Sequence, residues 1–267
     1  MRSALARIPV LLTTIALSTA LTAQVDINKM IQERMKQQQT GQTGQPTSAT
    51  MVDDNDPFVP NTFTGSFRME MHFFKNGKEE KGSPNNMHYA SSEDMTLMRS
   101  TSAERPGQEM KILTDLKGKW TYTLMDDGKG KKTAMKSKKQ KFVGSEETDA
   151  AKKEQKITVT SETREINGYT CTKVIVESED GTWTGWMAKG LKAPFTDMAR
   201  NAGGSKKQSG QRVPKDVDGM PMEFEWVSAD GTERMASYVR DLEVGKVAAS
   251  TFSLDGYDLM EIPSYGR

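Results

Sequence analysis

Apolar and polar side chains alternate along most of the chain that follows Phe63. In the first run the apolar positions are Phe63, Phe67, Met69, Met71 and Phe73. A period of two places the apolar and polar sets on opposite faces of a half-buried β-strand. Comparable runs occupy residues 86–91, 95–100, 109–114, 119–125, 133–136, 156–166, 169–177, 182–188, 220–227 and 233–244. The chain is therefore predicted to consist mainly of strands.

Dipeptides typical of tight turns follow or separate several of these runs. They are Asn76-Gly77, Asn167-Gly168, Asp180-Gly181 and Asp230-Gly231. Such pairs favour the positive φ angles of two-residue hairpins, which join antiparallel neighbours. No segment is long enough to form the helices that connect parallel strands. We therefore predict a mainly β fold with one antiparallel sheet, curved into a barrel, a half-barrel or a sandwich.

One helix is predicted inside the β region, at residues 194–200. Pro194 suits the first turn of a helix, and Gly203-Gly204 suits its end. Residues 136–155 and 203–213 have no clear period and are predicted to be long loops.

The N-terminal residues have the pattern of a secretory signal peptide. Arg2 and Arg7 precede an apolar run at residues 8–21, and Thr22 and Ala23 supply small side chains for cleavage after Ala23. The run is shorter than the roughly 20 apolar residues that span a bilayer. We therefore expect residues 1–23 to be removed and the mature protein to be periplasmic or secreted.

Residues 24–62 are predicted to lead into the β domain. Apolar residues at roughly helical spacing in residues 24–39 predict a short amphipathic helix, with Asp26 placed to cap it. Residues 38–60 are rich in Gln, Thr, Gly, Asp and Pro and are predicted to form a flexible linker. The predicted domains are thus 1–23, 24–62 and 63–267.

Charge and cysteine content exclude some classes of partner and of stabilisation. The chain has 37 Lys and Arg against 36 Asp and Glu, for a net charge of +1, which argues against nucleic acid as the main partner. Cys171 is the only cysteine, so no disulfide can form within the chain. It lies in an alternating run, where a buried small hydrophobic residue and a reactive thiol are the two interpretations.

No pattern typical of catalysis occurs in the sequence. The two histidines, His72 and His88, have no third His or Cys near them to complete a metal site. No nucleophile elbow, phosphate-binding glycine loop or zinc-helix motif is present. The sequence therefore predicts no catalytic residue, no metal and no cofactor.

Aromatic and methionine side chains dominate the predicted apolar strand face. Its members are Trp120, Tyr122, Trp183, Met187, Met222, Phe224, Trp226 and Met235. Because methionine is flexible and polarisable, such a face suits hydrophobic ligands of variable shape, including an acyl chain. The alternative is an ordinary β core that uses methionine.

A run of lysines lies between Lys129 and Lys141 with no acidic residue inside it. Such a run suits contact with anionic lipid headgroups or with an acidic protein partner. A solvated charged loop is the alternative, since Glu146, Glu147 and Asp149 follow closely.

Three segments resemble one family of exported bacterial proteins. They are residues 165–174 (EINGYTCTKV), 182–191 (TWTGWMAKGL) and 219–224 (GMPMEF). Together they resemble domain-of-unknown-function family 4412, which is grouped with the lipoprotein-carrier (LolA/LolB-like) superfamily. The resemblance covers roughly residues 63–263. It implies a curved antiparallel sheet that forms an incomplete (half) barrel with a few short covering helices, whose concave apolar side can receive lipid.

The chain departs from the carriers at its N-terminal end. The carriers lead their first helix almost directly into the sheet, whereas the helix predicted here precedes a long linker. The family has no assigned function, so the resemblance transfers no functional residue.

Three functional hypotheses follow. The first is an exported, non-enzymatic binding protein, periplasmic or associated with the outer membrane, that holds a lipid or another hydrophobic ligand. The second is an interaction or adaptor module of the cell envelope with a packed core, in which the N-terminal helix or a strand edge docks a partner protein. The third is a hydrolase on the same scaffold, whose active residues would be scattered over several strands.

Overall fold

The computed structural model describes residues 50–102, 110–126, 130–143, 155–192, 194, 197–198 and 219–262. Contacts divide the chain into two units, Met1–Thr47 and Ser48–Arg267. All described residues belong to the second unit. The predicted signal peptide and amphipathic helix lie outside them.

The described residues are mostly strands. These are β1 (Thr50–Asp53), β2 (Gly65–Lys75), β3 (Lys78–Glu79), β4 (Asn85–Ser91), β5 (Met95–Ser102), β6 (Met110–Asp115), β7 (Trp120–Asp126), β8 (Lys132–Lys138), β9 (Gln140–Val143), β10 (Lys156–Ile166), β11 (Tyr169–Ser178), β12 (Gly181–Ala188), β13 (Met220–Ser228), β14 (Glu233–Val244) and β15 (Asp258–Glu261). A 3-10 helix occupies Ala249–Phe252. Pro194, Asp197 and Met198 are helical, which agrees with the helix predicted there.

One large sheet contains nearly all of these strands. Its order is β10-β11-β12-β13-β14-β2-β4-β5-β6-β7-β8-β15, with β3 paired to β2, while β1 and β9 form a separate pair. Every pairing is antiparallel except that of β15 with β8, which is parallel. The end strands β10 and β15 do not pair with each other in the described part, so the sheet stays open. The predicted mainly β, curved antiparallel fold is confirmed.

Each run of alternating residues predicted from the sequence forms a strand. In Asp180-Gly181 and Asp230-Gly231 only the glycine has a positive φ, whereas the two Asn-Gly pairs have the expected positive φ at both residues. Asn167 and Gly168, for example, both have positive φ, at 52° and 77°. The strands that the alternation did not reveal are β1, β3, β9 and β15. They are two to four residues long, and the apolar residues of β1, β9 and β15 are adjacent instead of alternating, so these strands lack the periodic signal on which the prediction rests.

Residues 136–155 were predicted to form a loop, but residues 136–143, at its start, form strands. They make up the end of β8 and all of β9, and β9 pairs with β1. Residues 50–53 of the predicted linker therefore belong to a strand. The linker prediction for residues 38–49 concerns residues outside the described part.

Ion pairs hold β1 and the residues just after it against the end of β8 and β9. Asp54 accepts a short hydrogen bond from the Lys139 ammonium and lies 3.7 Å from Lys119 Nζ, while Lys138 Nζ lies 3.4 Å from Asp53. Lys141 pairs with Asp56 in the same way. We call Asp53, Asp54 and Asp56 with their four lysines the clasp. The lysines of the clasp are thus engaged within the protein.

The central pair of the clasp is buried. The side chains of Asp54 and Lys139 are only 8% and 5% exposed. Burial alone would raise the pKa of Asp54, but the hydrogen bond from Lys139, the amide of Asp56 and the charges of Lys139 and Lys119 outweigh it and lower the pKa. The clasp therefore keeps a carboxylate ionised inside the fold.

The two faces of the sheet can be told apart by pairing. Phe67 lies opposite Tyr89, and Tyr89 lies opposite Met98. Ala90 and Leu97, which are also paired, are the next residues along β4 and β5 and face the other way. We call the side with Phe67 the front face and the side with Leu97 the back face.

Apolar clusters cover the front face on one half of the sheet and the back face on the other. On the front face Phe67, Met69 and Tyr89 belong to a cluster that also contains Cys171 and Met222. A second front-face cluster is built from Val174, Val176, Trp183, Met187, Phe224 and Met235. The back-face cluster consists of Leu113, Leu124 and Ala134, against which Leu97, Tyr122, Phe252, Leu254 and Tyr257 pack.

Hydrogen bonds to Asp197 fix the segment before β2. The carboxylate of Asp197, which is buried, accepts hydrogen bonds from the amides of Thr62 and Phe63 at 2.7 and 3.1 Å. This bond set joins the helical residues to the start of the sheet. Within the described residues no helix has the length and apolarity needed to cross a membrane.

Candidate functional site

Five of the eight predicted ligand-lining residues come together on the front face. Trp183, Met187, Phe224 and Met235 form one buried cluster with exposures of 0 to 7%, and Trp226 packs against it. The Trp183 indole stacks on Phe224 with ring centroids 5.8 Å apart. A Cβ atom on Gly185 would lie 2.1 Å from Trp183 Cη2, so glycine is what lets the indole lie flat on β12. This group is packed as a core.

The other three predicted residues lie elsewhere, so the eight do not line one surface. Met222 is fully buried in the first front-face cluster, at a register shift in β13. Tyr122 packs on the back face, where burial, then the charges of Asp115 and Glu261, raise its pKa. Trp120 lies two residues before Tyr122 on that face, with Lys136 Nζ 3.7 Å from its ring centroid. The structure therefore does not bring these three residues together with the other five.

The described residues contain a cleft on the back face, opposite the packed cluster. Its volume is about 440 Å³, within the roughly 300 to 1,000 Å³ typical of small-molecule sites. One wall is the sheet, and the other is the segment that carries Thr251, Ser253 and Tyr257. The cleft thus lies between the central strands and the C-terminal part of the described chain.

The sheet wall of the cleft is made of two neighbouring rows of side chains. The apolar row runs across the strands through Ala90, Leu97 and Leu113, which are consecutive cross-strand partners. Leu124 and Tyr257 also line this side. Leu113 and Leu124 are only 1% and 4% exposed because they belong to the back-face cluster, so Leu97 and Tyr257, which are partly exposed, supply the apolar surface that a ligand in the cleft could cover.

The second row is basic. Arg68 lies opposite His88, His88 opposite Arg99, and Arg99 opposite Lys111, and all four line the cleft. We call these four residues the basic row. It lies two residues along each strand from the apolar row, on the same face.

Acidic side chains engage one end of the basic row. Arg68 Nε donates to Asp241 at 3.0 Å and Arg68 Nη1 donates to Glu70 at 3.0 Å. Asp241 and Glu243 line the cleft at this end, and Lys111 lies opposite Leu124 at the other end. Across the sheet the cleft wall therefore runs from the acidic side chains beside Arg68, along the basic row, to Leu124.

The sequence analysis missed this site. The basic row occupies the polar positions of four predicted strands, and a single strand with polar alternate positions indicates only a solvent-facing side. Arg68 and Lys111 become neighbours of one row only through the register of β2, β4, β5 and β6. No local signal in the sequence carries that register.

Comparison with known families decides the classification. The model of the family described as domain of unknown function DUF4412 matches residues 63–255. The chain belongs to this family. The match contains all four residues of the basic row and the three of the apolar row, while the aspartates of the clasp precede it.

Solved structures of other proteins align with most of the DUF4412 domain at low identity. PNGF-II aligns over 74% of this chain and 31% of its own, with 15% identity and a TM-score of 0.33. MucA/MucB of Pseudomonas aeruginosa aligns over 71% and 55%, with 11% identity and a TM-score of 0.35. A domain from Vibrio parahaemolyticus, assigned as outer membrane lipoprotein-sorting, aligns over 72% and 91%, with 10% identity and a TM-score of 0.29. The chain thus spans about a third of PNGF-II and about half of the MucB chain. No curated protein matches the sequence.

The structure gives the surroundings of Cys171 and of the potential metal ligands in the DUF4412 domain. Cys171 is fully buried, and burial is the main cause that raises the pKa of its thiol, which favours the core interpretation over the reactive one. Among the described residues no three His, Cys, Asp or Glu side chains are grouped as metal ligands would be.

His72 lies between two carboxylates near the end of β2, within the DUF4412 domain. Its Nδ1 is 2.7 Å from Glu79 and its Nε2 is 3.1 Å from Glu70. Burial opposes protonation, but the hydrogen bonds and charges of the two carboxylates outweigh it and raise the pKa of His72 above 6.5. The structure thus gives this histidine two acidic partners.

This arrangement predicts a pH dependence of stability. A raised pKa in the folded state gives a stabilisation that is fully present below the unfolded value of 6.5 and is lost as pH rises through the raised value. The His72→Gln variant is expected to lack that decline in thermal unfolding midpoint on the alkaline side of 6.5. Thermal unfolding of both proteins across neutral pH measures it. Equal declines in the two proteins would refute the assignment, and Glu79→Gln is expected to lose part of the effect.

Proposed function

We propose that the protein is an exported, non-enzymatic binding protein that holds a hydrophobic ligand with a polar end in the back-face cleft. The observation that carries the proposal is the cleft of about 440 Å³ with an apolar row on its wall. A signal peptide pattern in residues 1–23 supports export to the periplasm or beyond. The packed front-face cluster argues that the ligand does not enter there, since closely packed interiors leave no room for one.

Ligand content and cleft blocking test the proposal. Native mass spectrometry of gently purified protein is expected to show a bound small molecule, and the emptied protein is expected to bind dodecanoate or its glycerol monoester. The Ser66→Trp variant places an indole in the cleft opposite Ala90 and is expected to weaken binding of both probes by about tenfold or more.

The matched control is Thr184→Trp, on β12 outside the cleft lining. It has comparable partial burial and is expected to bind the probes as the unsubstituted protein does. A protein that is always purified empty and takes up neither probe would contradict the proposed function. Equal loss in both tryptophan variants would place the binding elsewhere than in the cleft.

An adaptor function is the second candidate, and the packed front-face cluster favours it. Deleting residues 24–47 separates the two functions, because the deletion leaves β1 and the clasp intact. A carrier is expected to keep its ligand affinity after the deletion, whereas an adaptor docked through the predicted N-terminal helix is expected to lose its partner. A hydrolase is the third candidate. It predicts that the protein hydrolyses at least one substrate in a screen of esters and glycosides.

A further inference from the structure

The chain between β14 and β15 forms the wall of the cleft that faces the sheet. We call residues 245–257 the strap. Thr251, Ser253 and Tyr257 of the strap line the cleft. The structure describes the whole strap, and none of its residues is buried, including those of the 3-10 helix. A ligand in the cleft would therefore lie between the sheet and an exposed segment of chain.

Backbone hydrogen bonds hold the strap at its two ends. At the start, the Gly245 amide donates to the Thr64 carbonyl at 3.0 Å. Beyond the other end, β15 pairs with β8, and the Ile262 amide donates to the Lys136 carbonyl at 2.8 Å. Lys136 Nζ also lies 3.5 Å from Glu261. The strap is therefore fixed where it leaves β14 and where it enters β15.

Between these ends the backbone of the strap is bonded to itself. Three local hydrogen bonds of 3.0 to 3.2 Å join the amides of Thr251, Ser253 and Tyr257 to the carbonyls of Ala248, Ser250 and Leu254. In the described part of the chain, no backbone hydrogen bond joins residues 246–255 to a strand. The middle of the strap can therefore leave the sheet without breaking a hydrogen bond of the sheet.

Apolar side chains hold the middle of the strap on the sheet. Phe252 and Leu254 are partly exposed and, with Tyr257, pack against the back-face cluster. Thr251 and Ser253, which alternate with them, line the cleft, whereas Phe252 and Leu254 do not. Phe252 and Leu254 thus fix the strap without forming the surface that a ligand would touch.

A glycine lies near each end of the strap. Gly245 has a φ of 126° and Gly256 a φ of 79°, values that residues with a side chain rarely adopt. A Cβ atom at either position would have no neighbour within 4 Å among the described residues, so packing does not require glycine there. The backbone conformation does, and it suits these two positions to act as hinges.

Resting on the proposed function, we propose that the strap is the gate of the cleft. Residues 246–255 swing away from the sheet about Gly245 and Gly256, which releases Phe252 and Leu254 from the back-face cluster while β15 stays paired with β8. The open form lets a hydrophobic ligand enter or leave, and closure brings the strap back over it. Such opening costs little free energy because it breaks only partly exposed apolar contacts.

Binding rates test the gate, because a gate acts on both of them. Phe252→Ala and Leu254→Ala populate the open form, so each is expected to speed both association and dissociation of a fluorescent dodecanoate derivative by about tenfold. Loss of a contact in the cleft wall would instead act mainly on dissociation. Stopped-flow fluorescence of the purified full chain measures both rates.

Two variants serve as controls for these rates. Phe252→Leu keeps most of the apolar contact and is expected to stay within about twofold of the unsubstituted protein. Val159→Ala removes an apolar side chain that is 57% exposed on β10, outside the cleft lining, and is expected to leave both rates unchanged.

Hydrogen exchange reports the opening in the unsubstituted protein. The amides of Thr251 and Ser253 are expected to exchange faster than those of β14 in the empty protein, since they are freed when the strap opens. Saturating dodecanoate is expected to slow their exchange by about tenfold or more, because the ligand stabilises the closed form. NMR of the exchanging amides measures both effects.

The outcomes of the proposed function and of this inference are distinct. Absence of dodecanoate binding would overturn both. Binding at rates that Phe252→Ala and Leu254→Ala leave unchanged, or that rise only for dissociation, would overturn the gate and leave the binding function standing. Exchange of the strap amides that does not respond to bound dodecanoate would do the same. A rise in both rates together with protection by the ligand supports the gate.

Discussion

Replacement of Trp183 by alanine is expected to destabilise the protein by about 3 to 5 kcal/mol. The indole is 2% exposed, stacks on Phe224 and lies flat against Gly185, so its removal leaves a cavity lined by groups that cannot close over it. Its Nε1 has no hydrogen-bond acceptor among the described residues, so the loss is one of packing. Chemical denaturation followed by circular dichroism measures the effect.

Two further variants on β12 provide controls. Trp183→Phe keeps most of the apolar contact and is expected to cost less than half as much. Trp186→Ala removes a second indole from β12, one that is only partly buried beneath the Arg164 guanidinium, and is expected to cost less than Trp183→Ala. If Trp183→Ala costs less than about 1 kcal/mol, the front-face cluster is not the packed core described here.

Replacement of Asp54 by asparagine is expected to destabilise the protein by about 3 kcal/mol, because it leaves the buried Lys139 ammonium without its carboxylate. The loss of stability in acid is also expected to differ between this variant and the unsubstituted protein. The pKa of Asp54 is lowered on folding, so its stabilisation is complete above the unfolded value of 3.8 and is lost as pH falls through the lowered value. The Asp54→Asn variant lacks that contribution. Urea denaturation at neutral and acidic pH measures both effects.

The controls for the clasp separate burial from charge. Asp56→Asn removes an ion pair whose carboxylate is 63% exposed and is expected to cost less than about 1 kcal/mol. The double variant Asp54→Leu/Lys139→Met removes both buried charges and is expected to recover most of the stability lost in Asp54→Asn. Equal costs for Asp54→Asn and Asp56→Asn would show that the buried pair is no more important than the surface pair.

Most strands of the main sheet could be predicted because each carries its own signal. The alternation in β2 and the turn at Asn167-Gly168 depend only on residues close in sequence. By contrast, β1 and β9 are held by pairing between segments far apart in sequence and by the buried Asp54 and Lys139. Long-range pairing of polar segments leaves no local period, so these strands were predicted as linker and loop.

The misplacement of Trp120 and Tyr122 has a related cause. Alternation shows which residues of one strand share a face, but not which face of the whole sheet that is. The back face becomes apolar at Tyr122 because the segment that carries Phe252 and Tyr257 packs over it, and this segment lies far along the chain. Alternation could therefore mark the eight residues as apolar positions of their strands, but it could not assign them to one surface.

The measurement that tests the central claim most directly is a titration of dodecanoate followed by NMR of the leucine and methionine methyl groups. The account predicts saturable shifts at Leu97, Leu113 and Leu124, which line the back-face cleft, with Met187 and Met235 unchanged on the front face. Shifts confined to Met187 and Met235, or no saturable shift at any of these methyl groups, would contradict it.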